Sequence, residues 1–209
     1  HQADIAVHSM KDVLAILPDG LIINTLFARQ NPFDAFVSQH IPNIASLPKA
    51  AIVGTSSLRR AAQLLAYKPD ICIKPIRGNV GTRLKKLDGG EFDAIILAAT
   101  GLERLGLETR IQETIPENIM LPAAGQGALG VECRANDTYI HELLAPLHDK
   151  NTALAVEAER HVNLALGGSC HTPIAVYCKK TADNTVVLNR SEEHTSELQS
   201  RQYLVCRLL

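Results

Sequence analysis

The segment LALGGSCHTPIAVY sets Cys170 after two glycines and a serine and before His171, Thr172 and Pro173. Gly167 and Gly168 permit backbone shapes closed to other residues, so a thiol on this loop can be reached by a reagent. Three roles are open to it: a nucleophile, a metal ligand, or a small buried hydrophobe that ends a helix. Near the other end, AVHSMKDV places Ser9, Lys11 and Asp12 where an apolar run closes. A carboxylate beside a cation can steer protons or stabilise a cationic intermediate; the same pair can also be an exposed Lys–Asp loop. No Ser, His and Asp arrangement declares itself, because the sequence does not show which of them meet.

The third chemical signal is charge. Residues 51–90 hold eight basic side chains (Arg59, Arg60, Lys68, Lys74, Arg77, Arg83, Lys85, Lys86) against two acidic ones, Asp70 and Asp88. Arg59 and Arg60 follow VGTSS, and Arg77 and Arg83 flank GNVGT. Both sites read as strand-to-helix junctions, where backbone N–H groups and helix dipoles favour anions. Guanidinium groups add two-point recognition of carboxylate or phosphate. The lysines read as solvated helix and loop charges. Nucleic acid would call for aromatic platforms, and the chain is 4% aromatic with no Trp, so small polyanions fit better. GNVG is neither GxGxxG nor a Walker loop, so a nucleotide is not implied.

These groups need elements to hold them. DIAVHSM, GLIINTLF, DAFVS, AAIVGTS, ICIKPI, FDAIILAA and ALGVECR are short apolar runs bounded by Gly, Pro, Asp or Ser, and they predict strands. Leu58, Ala61, Ala62 and Leu65 recur at helical spacing. So do Val80, Leu84 and Leu87, with Asn79 as cap and Gly89 as stop. DTYIHELLAPLHD and TALAVEAERHVNLAL predict two later helices. Strands interleaved with helices predict α/β sheets with covered faces and ligand sites at the carboxyl ends of strands.

Composition bounds the remainder. A chain of 209 residues, 46% hydrophobic and 21% charged, has the make-up of a globular protein of one large or two modest domains. No apolar run nears the roughly 18 residues of a membrane span. Lys+Arg 21 nearly balances Asp+Glu 22, so any electrostatic function is local. Five dispersed cysteines without a CxxC pair disfavour a disulfide framework and a zinc site, which predicts reduced thiols in a cytoplasmic protein with no metal. From Arg190, RSEEHTSELQS follows neither structural period and corresponds codon by codon to a sequencing-library adapter read in frame. Residues 190–209 are therefore expected to be a non-native tail, the alternative being a polar loop followed by a YLVCRLL strand.

ADIAVHSMKD, VGTSSLRR, IRGNVGTRLKKLDGGEFDAIILAATGLERLGL, LPAAGQGALGVECR and LGGSCHTPIA together closely resemble the porphobilinogen deaminase (hydroxymethylbilane synthase) family, in order and spacing, across residues 3 to 188. The resemblance implies a three-domain α/β enzyme of tetrapyrrole (haem) biosynthesis. Its first two domains would be like type II periplasmic binding proteins, and its third a small α+β domain. By resemblance it is a transferase that joins four porphobilinogen molecules head to tail, releasing ammonia each time, into linear hydroxymethylbilane. The growing chain is held on a dipyrromethane cofactor bound by a thioether, which falls here on Cys170. Loss of ammonia leaves an electron-poor azafulvene, a soft electrophile suited to a thiolate or a pyrrole carbon.

Catalytic roles fall by resemblance on Asp12, with Lys11 beside it. Cofactor-binding roles fall on Ser9, Thr55, Ser57, Arg59, Arg60 and Arg83, and substrate-binding roles on Arg77 and Arg104. The expected partners are porphobilinogen and the growing polypyrrole, with no nucleic acid or membrane, and the expected state is a monomer. The division implied is 1–30 plus 122–147 as what is present of domain 1, 31–121 as domain 2, and 148–189 as part of domain 3. Relatives carry a further N-terminal stretch absent here, and domain 3 is cut near Asn189, so sheet edges and apolar faces are expected to be exposed. Leu14 stands where relatives usually place proline. A reading of another class is a non-catalytic module that binds small anions on the same scaffold. An anchoring thiol would separate the two.

Overall fold

The computed structural model describes residues 3–14, 16–167, 172–181, 185–194 and 197–207; Cys170 and His171 lie outside the described residues. Three sheets organise the described residues. The first is three-stranded, with β1 (Ile5–Ser9) and β2 (Leu21–Leu26) both antiparallel to a later strand between them.

The second sheet is built from the middle of the chain. β3 (Asp34–Val37), β4 (Ile52–Gly54), α1 (Leu58–Tyr67), β5 (Cys72–Lys74), α2 (Val80–Asp88), β6 (Ala94–Ala98), α3 (Ala99–Glu103) and β7 (Glu113–Thr114) follow in sequence. The strand order is β5, β4, β6, β3, β7, with β4 parallel to β5 and β6, and β3 antiparallel to β6 and β7. Period-two alternation divides the apolar residues between its faces. Phe36, Ala94 and Ile96 join Leu64 of α1 in one core, while Ala35, Val37, Ile95 and Leu97 join Leu84 and Leu87 of α2 in another. Both faces are thus covered by a helix, as the interleaved pattern predicts.

β8 (Leu129–Arg134) completes the first sheet, and α4 (Thr138–Leu144) and α5 (Lys150–Ala165) follow. The third sheet is an antiparallel meander of β9 (Ile174–Lys180), β10 (Thr185–His194) and β11 (Glu197–Arg207). Strand pairing continues past Arg190, where the sequence has no period, because ladder hydrogen bonds need only backbone. The register shifts between Arg190 and Glu192.

Caps fix the helix starts as the sequence predicts for α2, where Asn79 Oδ1 accepts from Thr82 N–H and Gly89 closes the helix. α1 differs from its hydropathy pattern. Leu58 and Leu65 are exposed, while Arg59, Arg60 and Gln63 are buried beside Ala62 and Leu64. This helix turns a polar face inward because buried acceptors await it there. β1 is an edge strand on which Ile5 and Val7 are exposed.

Candidate functional site

Two strand ends and one helix converge on a cavity of about 320 Å³. β1 ends at Ser9 and gives way to a tight turn, Met10–Asp12, from which Lys11 and Asp12 face the cavity. Met10 is buried, and its N–H donates to Ala128 O at 3.0 Å, fixing the turn to the start of β8. β4 ends at Gly54, and the Thr55–Ser57 loop leads into α1, whose Ser57 and Arg59 form the second wall. Arg160 and Asn163 of α5, with Thr172 and Ile174 beyond it, form the third.

Behind Arg59 lies a buried anion. Asp34, at the head of β3, is fully buried and receives Arg59 Nη2 at 2.7 Å and Arg60 Nη2 at 2.7 Å. Gln126 Nε2 donates to the same carboxylate at 2.9 Å. Burial alone would raise the pKa of Asp34, but the two guanidiniums outweigh it and hold the carboxyl far below its ordinary range. Arg59 Nη1 also donates to Leu121 O at 2.5 Å. Arg60 adds a bond from Nη1 to Ile96 O at 3.1 Å. The two arginines therefore differ: Arg59 reaches the cavity wall, while Arg60 is turned into the core.

Lys11 is the other cation at the wall. Burial, then the charge of Arg60, lowers its pKa below the ordinary lysine value, against the pull of Asp12 and Asp34. Among the described residues the cavity thus brings Lys11, Arg59 and Arg160 together with the carboxylate of Asp12. Met10, Val13 and Ile174 give it an apolar lining. Such a wall suits a flat apolar ligand fringed with carboxylates.

The remaining predicted residues sit around this centre. Ser9 is half-buried at the end of β1, and Thr55 is buried, its Oγ1 accepting from Ser57 N–H at 3.2 Å. Arg83, half-buried on α2, donates from Nε to Gly78 O at 2.8 Å. Its pKa is lowered by burial first and by the charge of Arg60 second. Arg77 is exposed, and the exposed Arg104 donates from Nε to Gln30 Oε1 at 2.7 Å. Neither lines the cavity.

Residues 1–142 match the family model described as porphobilinogen deaminase, dipyromethane cofactor binding domain, and residues 153–190 match porphobilinogen deaminase, C-terminal domain. The chain belongs to the porphobilinogen deaminase family. The porphobilinogen deaminase of Legionella pneumophila strain Philadelphia 1 is 55% identical over 187 residues, which cover 90% of this chain and 60% of that protein. That of Albidiferax ferrireducens is 55% identical over 182 residues, 87% of this chain and 58% of that protein. The chain spans about 60% of the length of the Legionella deaminase. Among solved structures, a periplasmic substrate-binding protein of an ABC transporter from Coxiella burnetii aligns over 68% of this chain and 67% of its own at 15% identity, with a TM-score of 0.42. A periplasmic binding protein of Salmonella typhimurium aligns over 66% and 64% at 14% identity, with a TM-score of 0.35.

In deaminase terms, Lys11, Asp12, Ser57 and Arg59 lie in the cofactor-domain match, and Arg160, Asn163 and Thr172 in the C-terminal-domain match. The cavity is lined by residues of both matched parts. Four residues that matter to it received no role from the sequence: Asp34, Gln126, Glu159 and Arg160. Gln126 lies within LPAAGQGALGVECR, and Asp34 left a trace as a carboxylate heading a strand that is otherwise wholly apolar. Among the described residues no group of three or more His, Cys, Asp or Glu gathers to hold a metal, and no helix is long and apolar enough to cross a membrane.

Proposed function

We propose that this chain forms the cofactor- and substrate-holding core of a hydroxymethylbilane synthase. The enzyme joins porphobilinogen units head to tail, with loss of one ammonia per unit, into linear hydroxymethylbilane. The observation that carries this reading is the cavity shared by Asp12, Lys11, Arg59 and Thr172, which precedes the third sheet and stands two positions beyond Cys170. The residues fit a covalently held dipyrromethane. Its rings match the Met10, Val13 and Ile174 lining, and its acetate and propionate groups match Lys11 and Arg59. When bound, that group supplies the nucleophilic terminal pyrrole carbon to which each new unit is joined.

The protein's own groups then divide the work. Asp12 accepts the pyrrole N–H of the reacting unit and stabilises the positive charge that develops there. Lys11 and Arg59 pair with ring carboxylates, with Ser9, Thr55, Ser57 and Arg83 as further donors around them. Arg60 supports Arg59 through Asp34 in the arrangement described. Arg77 and Arg104, exposed outside the cavity, are assigned to later units of the growing chain.

Cys170 is the anchoring thiol of this proposal. Burial pushes the Cys178 thiol up to about 11 and raises that of Cys133, so both stay protonated and unreactive. Cys72, Cys133 and Cys178 are free, which supports a reducing, cytoplasmic setting. The grouping of strands into three sheets supports the division at about residues 30, 121 and 148. The end of the C-terminal match at 190 supports reading 190–209 as a non-native tail.

Intact-protein mass spectrometry of the full-length protein tests the proposal. The expected result is a mass increment of two pyrrole units that Cys170→Ala abolishes together with bilane formation. Unmodified, inactive wild-type protein from cells competent to make porphobilinogen would sink it and leave a simple anion-binding module.

A further inference from the structure

α5 carries Glu159 and Arg160 in succession, and their side chains leave the helix for different parts of the molecule. Glu159 is fully buried and receives Arg29 Nη1 at 2.6 Å and Nη2 at 3.1 Å, Gly125 N–H at 2.7 Å and Cys178 N–H at 2.8 Å. That cluster fastens α5 to the crossover between the first two sheets and to β9. Arg160 reaches elsewhere. Its Nη1 donates to Val13 O at 3.1 Å and its Nη2 to Leu14 O at 2.6 Å.

Val13 and Leu14 directly follow Asp12. The turn bearing the carboxylate is therefore held twice. Upstream, Met10 is buried with Leu26, Ala128, Ala153 and Val156, and its N–H is bonded to Ala128 O. Downstream, among the described residues, the Arg160 fork holds it. Within the turn itself, Val13 N–H reaches Met10 O only at 3.4 Å, a long bond that restrains little. A planar guanidinium bonded to consecutive carbonyls fixes both distance and rotation of that segment, which a single-point donor does not.

We infer that Arg160 is a positioning residue for Asp12: its two-carbonyl fork holds the segment after the carboxylate against the helix that precedes Cys170 in the sequence. The carboxylate and the third-domain wall of the cavity then keep a fixed separation. Asp12's chemical role in this inference rests on the proposed function; the hold itself does not. A displacement of about 1 Å between reacting groups costs on the order of 100-fold in rate, so loosening this fork acts on turnover.

The test uses the full-length holoenzyme with Arg160→Met and Arg160→Lys. Hydrogen–deuterium exchange over residues 11–16 reads the hold with or without activity. Exchange is expected to rise in Arg160→Met, and to rise less in Arg160→Lys, which can still reach one carbonyl. In the same Met variant kcat is expected to fall about 10- to 100-fold with KM within about twofold, and the two-pyrrole mass increment is expected to persist. Unchanged exchange in Arg160→Met overturns the inference. So does a raised KM at unchanged kcat, which would make Arg160 a ligand for substrate carboxylate. If Arg160→Met does not fold, Arg160→Lys decides: wild-type exchange and kcat in that variant overturn the two-point fork. A wild-type enzyme that makes no bilane would remove the proposed function while leaving the exchange result to judge the hold.

Discussion

Asp34 Oδ2 lies 2.7 Å from Arg59 Nη2, beneath the cavity wall and out of contact with solvent. The same carboxylate holds Arg60, so one buried anion restrains two cations from the α1 start. The orientation of Arg59 is set from below, before any ligand reaches it.

Asp34→Asn keeps the shape and removes the charge, leaving two guanidiniums buried without a counter-ion. Stability is expected to fall by about 3–5 kcal/mol at pH 7, read by urea denaturation. The pH dependence follows from the lowered pKa. The stabilisation from ionised Asp34 is complete above its ordinary value of 3.8 and is lost as pH falls toward the lower folded-state value. The gap between wild type and variant should therefore close below about pH 4. A constant gap across that range would contradict this.

Arg29→Met should show the opposite slope. Glu159 has one guanidinium partner where Asp34 has two, and burial raises its pKa above 4.5 despite Arg29. Without Arg29 the pKa rises further, so the folded state binds a proton more tightly than the unfolded chain. Such a protein gains stability as pH falls and loses it as pH rises. The variant's deficit, about 3–5 kcal/mol for a broken buried pair, should be larger at pH 8 than at pH 5.

Gly127→Ala separates crowding from backbone strain. Gly127 has φ +86, and a Cβ there would stand 2.7 Å from Gln30 O and 2.9 Å from Asn31 O, where the two crossover segments meet. Gly90 has φ +76 but nothing within 4 Å of a Cβ. Thermal unfolding should show a loss of about 2–5 kcal/mol for Gly127→Ala and about 1–2 kcal/mol for Gly90→Ala.

Asp12→Ala in the full-length protein is expected to lower bilane formation by about 10²–10⁴-fold. Dicarboxylate binding by calorimetry should change little, because Arg59 remains held by Asp34. Near-normal turnover would remove Asp12 from the chemistry.

The elements were legible because they are local. The strand runs from DIAVHSM to ALGVECR are all strands here, and Asn79 and Gly89 bound α2 as their side chain and backbone dictate. The Lys11–Asp12 turn was legible too, since a strand end can be seen from its own residues. The inward face of α1 was not. The helical spacing groups Leu58 and Leu65 with Ala61 and Ala62, and the inward face is polar instead because Asp34, 25 positions before Arg59, receives it. Glu159 and Arg160 read in sequence as an ordinary charged pair on a helix. The ion-pair partner of Glu159, Arg29, and the Val13 and Leu14 carbonyls that Arg160 reaches lie 130 or more positions away. Long-range pairing leaves no period behind.

The order β1, β8, β2 in the first sheet has a consequence for how the chain is made. β8 lies between its neighbours but is synthesised after every strand of the second sheet. Among the described residues β1 and β2 share no ladder with each other, and each pairs with residues 129–134. The second sheet, whose strands are all encoded within residues 34–114, can close first and serve as the fixed body on which the earlier-made strands are later assembled. The turn that carries Asp12 therefore acquires its Ala128 anchor only after every strand of the second sheet has been made.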